Sequence, residues 1–273
     1  MLPQKFIFSH IPKSAGTLFG QILERNFRKR FYPYYGLWDN RFFTKEDVAG
    51  MCDLHPQYQC LASHMFTLQL PFESKRFDFR AITFVRDPVE RALSLYFYAF
   101  RMAKMNPDYK PPGSIDQFFN EVLEKKSDGR FFNDQFRFLS GGVTDKSLFS
   151  DIEELAGLGK LLIAPVDRFD DACLLLEDTY PEHFKNMAYA RRSNVAERKQ
   201  KVSKELRECL AEVNQADLQL FTLASAVFER QFEKVFTNAR VLEQKRAFFS
   251  KRCARQGRMQ ALKSGLKKIR LSK

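Results

Sequence analysis

Cysteine is scarce in this chain. There are five (Cys52, Cys60, Cys173, Cys209 and Cys253), an odd number with no Cys-x-x-Cys pair. Neither a disulfide framework nor a zinc site is supported, and reduced thiols are expected. Histidine is scarcer still, with four in 273 residues, so few side chains can serve as a base near neutral pH. No run of about 18 apolar residues occurs, which excludes an ordinary transmembrane helix. Acidic residues stop at Glu243. From Gln244 to Lys273 there are 11 Lys or Arg and no Asp or Glu. Residues 1–243 therefore hold 34 basic against 33 acidic groups, a net +1, although the whole chain is +12. The high charge belongs to the tail, and no nucleic-acid partner is expected from it.

What is present is a large apolar complement. Hydrophobic residues make up 44% of the chain, and 29 of them are phenylalanine. That is enough for one aromatic-rich domain of about this length. The expected division is a globular domain at 1–243 and a basic C-terminal tail at 244–273.

Phe6, Ile7 and Phe8 read as a buried strand, stopped by Pro12. Leu18, Phe19, Ile22, Leu23 and Phe27 then recur at helical spacing. Between them lies His10-Ile11-Pro12-Lys13-Ser14-Ala15-Gly16-Thr17. A tight loop opening a helix presents amides with no intrahelical acceptor, and such a nest attracts anions. Lys13 adds positive charge at its mouth, and Gly16 is expected to let a ligand approach the backbone. This is not the Walker A pattern, in which lysine follows the last glycine.

A second anion-binding pattern begins where Phe79–Val85, read as a strand, gives way to Arg86-Asp87-Pro88. Asp87 fits an N-cap and Pro88 the first helical turn. Val89, Ala92, Leu93, Tyr96, Phe97 and Phe100 supply an apolar helix face. An arginine at a strand end is well shaped for phosphate oxygens. Asp87 and Arg91 read as a cap and a structural partner.

Together these two stretches resemble the donor-binding motifs of sulfotransferases that use 3′-phosphoadenylyl sulfate (PAPS), closest to the heparan sulfate 2-O- and 6-O-sulfotransferase branch and its bacterial relatives. The resemblance implies an α/β fold of P-loop-like, three-layer form, with a mainly parallel central sheet flanked by helices. It implies that Lys13, Ser14, Ala15, Gly16, Thr17 and Leu18 hold the 5′-phosphosulfate, and that Arg86 and Ser94 hold the 3′-phosphate. It also implies a catalytic role for Lys13, PAPS as sulfuryl donor, and no metal. Eukaryotic Golgi members carry an anchor and stem. No signal peptide fits ahead of the first strand here, so a cytoplasmic, bacterial protein is expected.

Gln59–Ser63 reads as another strand, with His64 just past its carboxyl end, where open α/β sheets place ligands. In the resembling family a histidine there is the general base, and His64 is the match. Imidazole titrates near pH ~6.5 and can accept a proton. His10 is expected to orient the loop or the donor; His55 and His183 sit beside prolines in turns.

The aromatic stretch Phe31–Trp38 reads as a loop, one that either walls a substrate cleft or packs on the surface. Thr44 caps a short helix ending near Cys52. Ser114 and Gln117 form a capping box. Asn133–Gly141 resembles the family's Asn-x-Gln-x-Arg-x-Leu-Ser-Gly segment, with Phe136 where a small residue is usual. Leu161–Val166 reads as a further strand. Arg191–Val195 resembles a late loop that closes over the donor, which brings Asn194 to the cofactor. Helical patterns follow Ser203.

The expected activity is transfer of a sulfuryl group from PAPS to a hydroxyl of an acceptor glycan or other hydroxyl compound. The competing readings are a P-loop-type kinase or nucleotide-binding protein, and a non-catalytic binder of acidic polymers. The tail either solubilises the protein or makes peripheral contact with anionic surfaces.

Overall fold

A computed structural model describes residues 2–35, 41–106, 113–125, 129–143, 147–190 and 202–271, apart from the side chains of 263–271. Five strands, β1 (Gln4–Ser9), β2 (Phe31–Pro33), β3 (Cys60–Ser63), β4 (Asp78–Val85) and β5 (Leu161–Pro165), form one sheet in the order β2-β3-β1-β4-β5. Every pairing is parallel. The helices are α1 (Gly16–Phe27), α2 (Lys45–Leu54), α3 (Pro88–Met105), α4 (Ile115–Lys125), α5 (Asp134–Ser140), α6 (Ser147–Gly157), α7 (Phe169–Thr179), α8 (Lys204–Glu212), α9 (Gln215–Val235) and α10 (Ala239–Leu271). No described helix is long and apolar enough to cross a membrane.

A parallel sheet must cover both faces, and the strands here are apolar on both. In β1, Phe6 and Phe8 pack with α1 and α7, while Ile7 points into a second cluster built largely from α5, α6 and α9. In β4, Ile82 and Phe84 share the first cluster, and Phe79, Ala81 and Val85 the second. The alternation is the period of two that a pleated strand imposes. A third cluster joins α3, α4 and α8 beside the sheet. The three layers are thus fixed by side-chain direction, and the α/β architecture is the one expected.

The helix starts follow local chemistry. Thr44 and Asp47 form a reciprocal capping box on α2, and Asp87 accepts from the Glu90 amide at 2.9 Å on α3, with Pro88 next. One stretch differs from expectation. Phe31–Pro33 is an edge strand, not loop, paired in register with Cys60–Ala62. Three residues ending in proline carry no readable period, and only the neighbouring strand makes them extended.

The expected division after residue 243 falls within α10. Phe249 and Cys253 of that helix are buried in the first core cluster, and Lys245, Arg246 and Arg252 pair with Asp178, Asp171 and Glu177 of α7. This part of the basic segment therefore packs on the body of the protein.

Arg91 is a deeply buried cation. Its side chain is 3% exposed and it pairs with Asp134, 1% exposed. Removing one partner strands the other charge, although Arg137 still reaches Asp134 at 2.6 Å. Arg91→Leu is expected to lower the unfolding free energy by about 3 kcal/mol, read by urea denaturation. A change within experimental error would contradict this account of the pair.

Candidate active site

The carboxyl ends of β3, β1 and β4 lie side by side, and the chain crosses from one side of β1 to the other between β3 and β4. Open parallel sheets bind ligands at such a reversal. His64 follows β3, the loop 10–15 follows β1, and Arg86 follows β4. Three segments distant in sequence converge because their strands are neighbours.

The loop takes a conformation that its residues do not favour. Lys13 (φ 69°) and Ala15 (φ 62°) are both left-handed and neither is glycine. Each such residue costs roughly 1 kcal/mol or more, so the surroundings must hold it. Arg91 donates from Nε to the Pro12 carbonyl at 3.1 Å and from Nη1 to the Arg130 carbonyl at 2.9 Å. The Ser14 hydroxyl donates to Gln135 Oε1 at 3.3 Å. Gln135, fully buried, also accepts from the Arg86 amide and donates back to the Arg86 carbonyl, both at 2.8 Å. One amide side chain therefore clamps the two anion-binding motifs together. The Arg86 guanidinium reaches the Lys13 carbonyl at 3.4 Å.

Of the loop amides, Gly16 and Thr17 stand at the first two helical positions, where no intrahelical acceptor exists. The Ser14 amide donates to Ile11 at 3.3 Å, and the Leu18 amide to Ala15 at 3.1 Å. The opening at Gly16 differs from expectation. A Cβ there would lie 1.8 Å from Cδ2 and Nε2 of His10. The absent side chain makes room for this imidazole.

His10 is nearly buried, and its Nδ1 is hydrogen-bonded to the Tyr35 hydroxyl at 2.9 Å. The His64 ring lies 4.1 Å from the His10 ring, centroid to centroid. His64 Nδ1 is 2.6 Å from the His10 carbonyl. A carbonyl can only accept, so Nδ1 carries the proton, and the neutral ring keeps its lone pair on Nε2. Burial pushes the His64 pKa below the usual histidine value, with the carbonyl bond opposing the shift. Burial and the neighbouring His64 lower His10 to about 3. Both rings are held neutral at physiological pH, which suits His64 to accept a proton.

Lys13 is also desolvated, and cations surround it. Its ammonium sits 4.3 Å from the centre of the Tyr98 ring. Desolvation and the charges of Arg101, Arg86 and Arg91 lower its pKa to about 8. Arg91, Ser94, Tyr98 and Arg101 follow one another at three- and four-residue steps, so they share a face of α3. Tyr98 and Arg101 are additions to the residues expected from sequence, and the spacing from Ser94 marks both. Tyr35 belongs to the aromatic stretch and Gln135 to the Asn133–Gly141 segment read from the sequence, but nothing local marks the hydrogen bond of the first or the reach of the second. Ser94 is half-buried on α3. Asn194, together with the loop 191–201, and Gly36–Trp38 of the aromatic stretch lie outside the described residues. Phe136 turns into the core.

Convergent cations with two amides that lack an intrahelical acceptor, beside a neutral imidazole, suit a polyanionic donor and a hydroxyl acceptor. Among solved structures, a sulfotransferase from Alicyclobacillus acidocaldarius is 12% identical, with 85% of this chain and 97% of that one covered, at a TM-score of 0.42. Mouse sulfotransferase SULT7A1 complexed with PAP is 13% identical, with 99% and 89% covered, at a TM-score of 0.35. No curated protein matches the sequence. The profile of the sulfotransferase family matches residues 3–224, a span that takes in both motifs and His64, and the chain belongs to that family.

Proposed function

We propose that the protein transfers a sulfuryl group from PAPS to a hydroxyl of a carbohydrate acceptor, using the residues gathered at the ends of β1, β3 and β4. The observation that carries this reading is geometric: Lys13 in the loop after β1 and His64, its Nδ1 fixed by the His10 carbonyl, follow the carboxyl ends of adjacent strands. The residues present fit the donor, because the charges of Arg101, Arg86 and Arg91 act on the desolvated Lys13 ammonium, and a bound polyanion offsets that repulsion. PAPS supplies the sulfuryl group.

In this reading the Gly16 and Thr17 amides and Lys13 receive the 5′-phosphosulfate end, while Arg86 and Ser94 receive the 3′-phosphate. His64 Nε2 takes the acceptor hydroxyl proton as the acceptor oxygen bonds to sulfur. The bond from sulfur to the bridging oxygen breaks, its electron pair stays on the 5′-phosphate, and Lys13 stabilises the charge that develops there. Tyr35, 44% exposed with its ring centre 5.2 Å from that of His64, offers an aromatic face beside the attacking group. That position favours a sugar acceptor.

Two substitutions test the roles. His64→Ala should lower kcat by ~10²- to 10⁴-fold, and Lys13→Ala by ~100-fold or more, with the melting temperature measured alongside. Near-normal turnover of either would remove its assignment. The identity of the donor is tested by competition: adenosine 3′,5′-bisphosphate should displace a labelled donor and ADP should not. Equal displacement by ADP would return the protein to the kinase reading.

The pH profile follows from the two shifts. His64 must be neutral, so kcat/KM rises with pH through a value below ~6.5, the ordinary histidine figure. Lys13 must be charged, so kcat/KM falls through about 8. Lys13→Arg should move that upper limb out of range, because guanidinium stays protonated. An upper limb that does not move would assign it to another group.

A further inference from the structure

Lys13 is held at both ends, and one of the groups that hold it lies outside the two donor motifs. Its backbone is set within the loop. The residue is left-handed at φ 69°, Arg91 Nε donates to the preceding Pro12 carbonyl at 3.1 Å, and Arg86 Nη1 donates to the Lys13 carbonyl at 3.4 Å. The tip of the side chain is met by α3. Its ammonium lies over the Tyr98 ring, 4.3 Å from the centre. Tyr98 stands one turn beyond Ser94, just past the stretch that resembles the 3′-phosphate motif. Arg91 and Tyr98 are seven residues apart, about two turns, so one face of α3 both braces the loop and receives the lysine.

Packing does not account for this ring. Its neighbour Tyr96 is buried in the third core cluster, whereas Tyr98 is 45% exposed and joins none of the three. Electrostatics gives it a use. A lysine stem turns freely, and its charge is a point without a preferred direction. The charges that lower the Lys13 pKa are those of Arg101, Arg86 and Arg91, all of which repel the ammonium. The negative face of an aromatic ring attracts it. An ammonium seated on a ring also keeps N–H bonds on its other side free for oxygen acceptors.

We propose that Tyr98 is a positioning residue for sulfuryl transfer, whose ring seats the Lys13 ammonium and so preorganises it for the oxygen on which charge develops. The proposal rests on the role given to Lys13 above. Without the ring, the stem turns away from the three guanidinium groups, and the ammonium has to be gathered again in every turnover before it can act. The loss then falls on the rate of the chemical step. Donor affinity changes little, because the Gly16 and Thr17 amides, Arg86 and Ser94 still receive the anionic groups of the donor. The ring is what matters, so phenylalanine should replace tyrosine and an aliphatic residue of similar bulk should not.

The test is a double-mutant cycle on the full chain. It follows release of labelled sulfate from PAPS to water, which breaks the same sulfur–oxygen bond and yields adenosine 3′,5′-bisphosphate without an added acceptor. Calorimetric titration with adenosine 3′,5′-bisphosphate is run alongside. Tyr98→Leu should lower the rate at saturating PAPS about tenfold, the scale of a desolvated cation–π contact, and change the bisphosphate affinity less than about threefold. Tyr98→Phe should recover most of the lost rate. In a Lys13→Ala background, Tyr98→Leu should cost less than about twofold more. An unchanged rate in Tyr98→Leu, an equal loss in Tyr98→Phe, or a full additional loss in the Lys13→Ala background overturns the proposal. A Lys13→Ala enzyme as fast as wild type overturns the role of Lys13 and this proposal with it. A slow Lys13→Ala enzyme beside a fast Tyr98→Leu enzyme overturns this proposal alone.

Discussion

The path of residues 10–15 is held against its own backbone preference by side chains buried beneath it. Two left-handed non-glycine residues in one short loop would relax in an isolated peptide. Arg91 prevents this from below by bonding to the Pro12 carbonyl while its charge is met by Asp134. Gln135 prevents it from the side by joining Ser14 to both backbone groups of Arg86. A buried cation with a carboxylate and two carbonyls as partners is tolerable in the interior, whereas an unmatched one is not. The same contacts that satisfy the interior therefore set the spacing of the site.

The support continues outward. Gln135 stands near the start of α5, whose first amides are capped by Asp217 of α9: the Gln135 and Phe136 amides donate to its carboxylate at 3.2 and 2.8 Å. In return, Asn133 Oδ1 accepts from the Ala216 and Asp217 amides at the start of α9. Two helices supply each other's missing hydrogen bonds, as helix starts require. A displacement of α9 would reach the loop 10–15 through this chain of contacts.

Burial acts on the two candidate catalytic groups in the same direction and serves two purposes. It keeps His64 neutral, which a base needs. It also brings Lys13 to about 8, near the working range yet still mainly charged below that pH. His10 matters here by staying uncharged. A second imidazolium against His64 would hold its lone pair less available and add repulsion beside Lys13. The room for His10 exists only because residue 16 has no side chain.

Much of the fold was legible because it depends on neighbours in sequence. The alternation of Phe6, Ile7 and Phe8, the caps at Thr44 and Asp87, and the Pro-Lys-Ser-Ala-Gly-Thr loop each express themselves within a few residues. The resemblance carried by this loop and by the Arg86 stretch, rather than periodicity alone, implied a mainly parallel α/β sheet. Phe31–Pro33 was not legible, since an edge strand of that length is extended only by pairing. Nor was the use of Gly16, because the ring that fills its space belongs to a residue across the turn. By itself the sequence determined most of the core strands and several of the helices, and which residue types are available for anion binding and proton transfer, since these follow from local periodicity and side-chain chemistry. The tertiary structure alone decided that Gln135 joins the two motifs, that His64 presents Nε2 rather than Nδ1 as its acceptor, and that the Lys13 ammonium lies over the Tyr98 ring. Each is a contact between residues tens to more than a hundred positions apart, and the packing of the sheet and its helices brings them together.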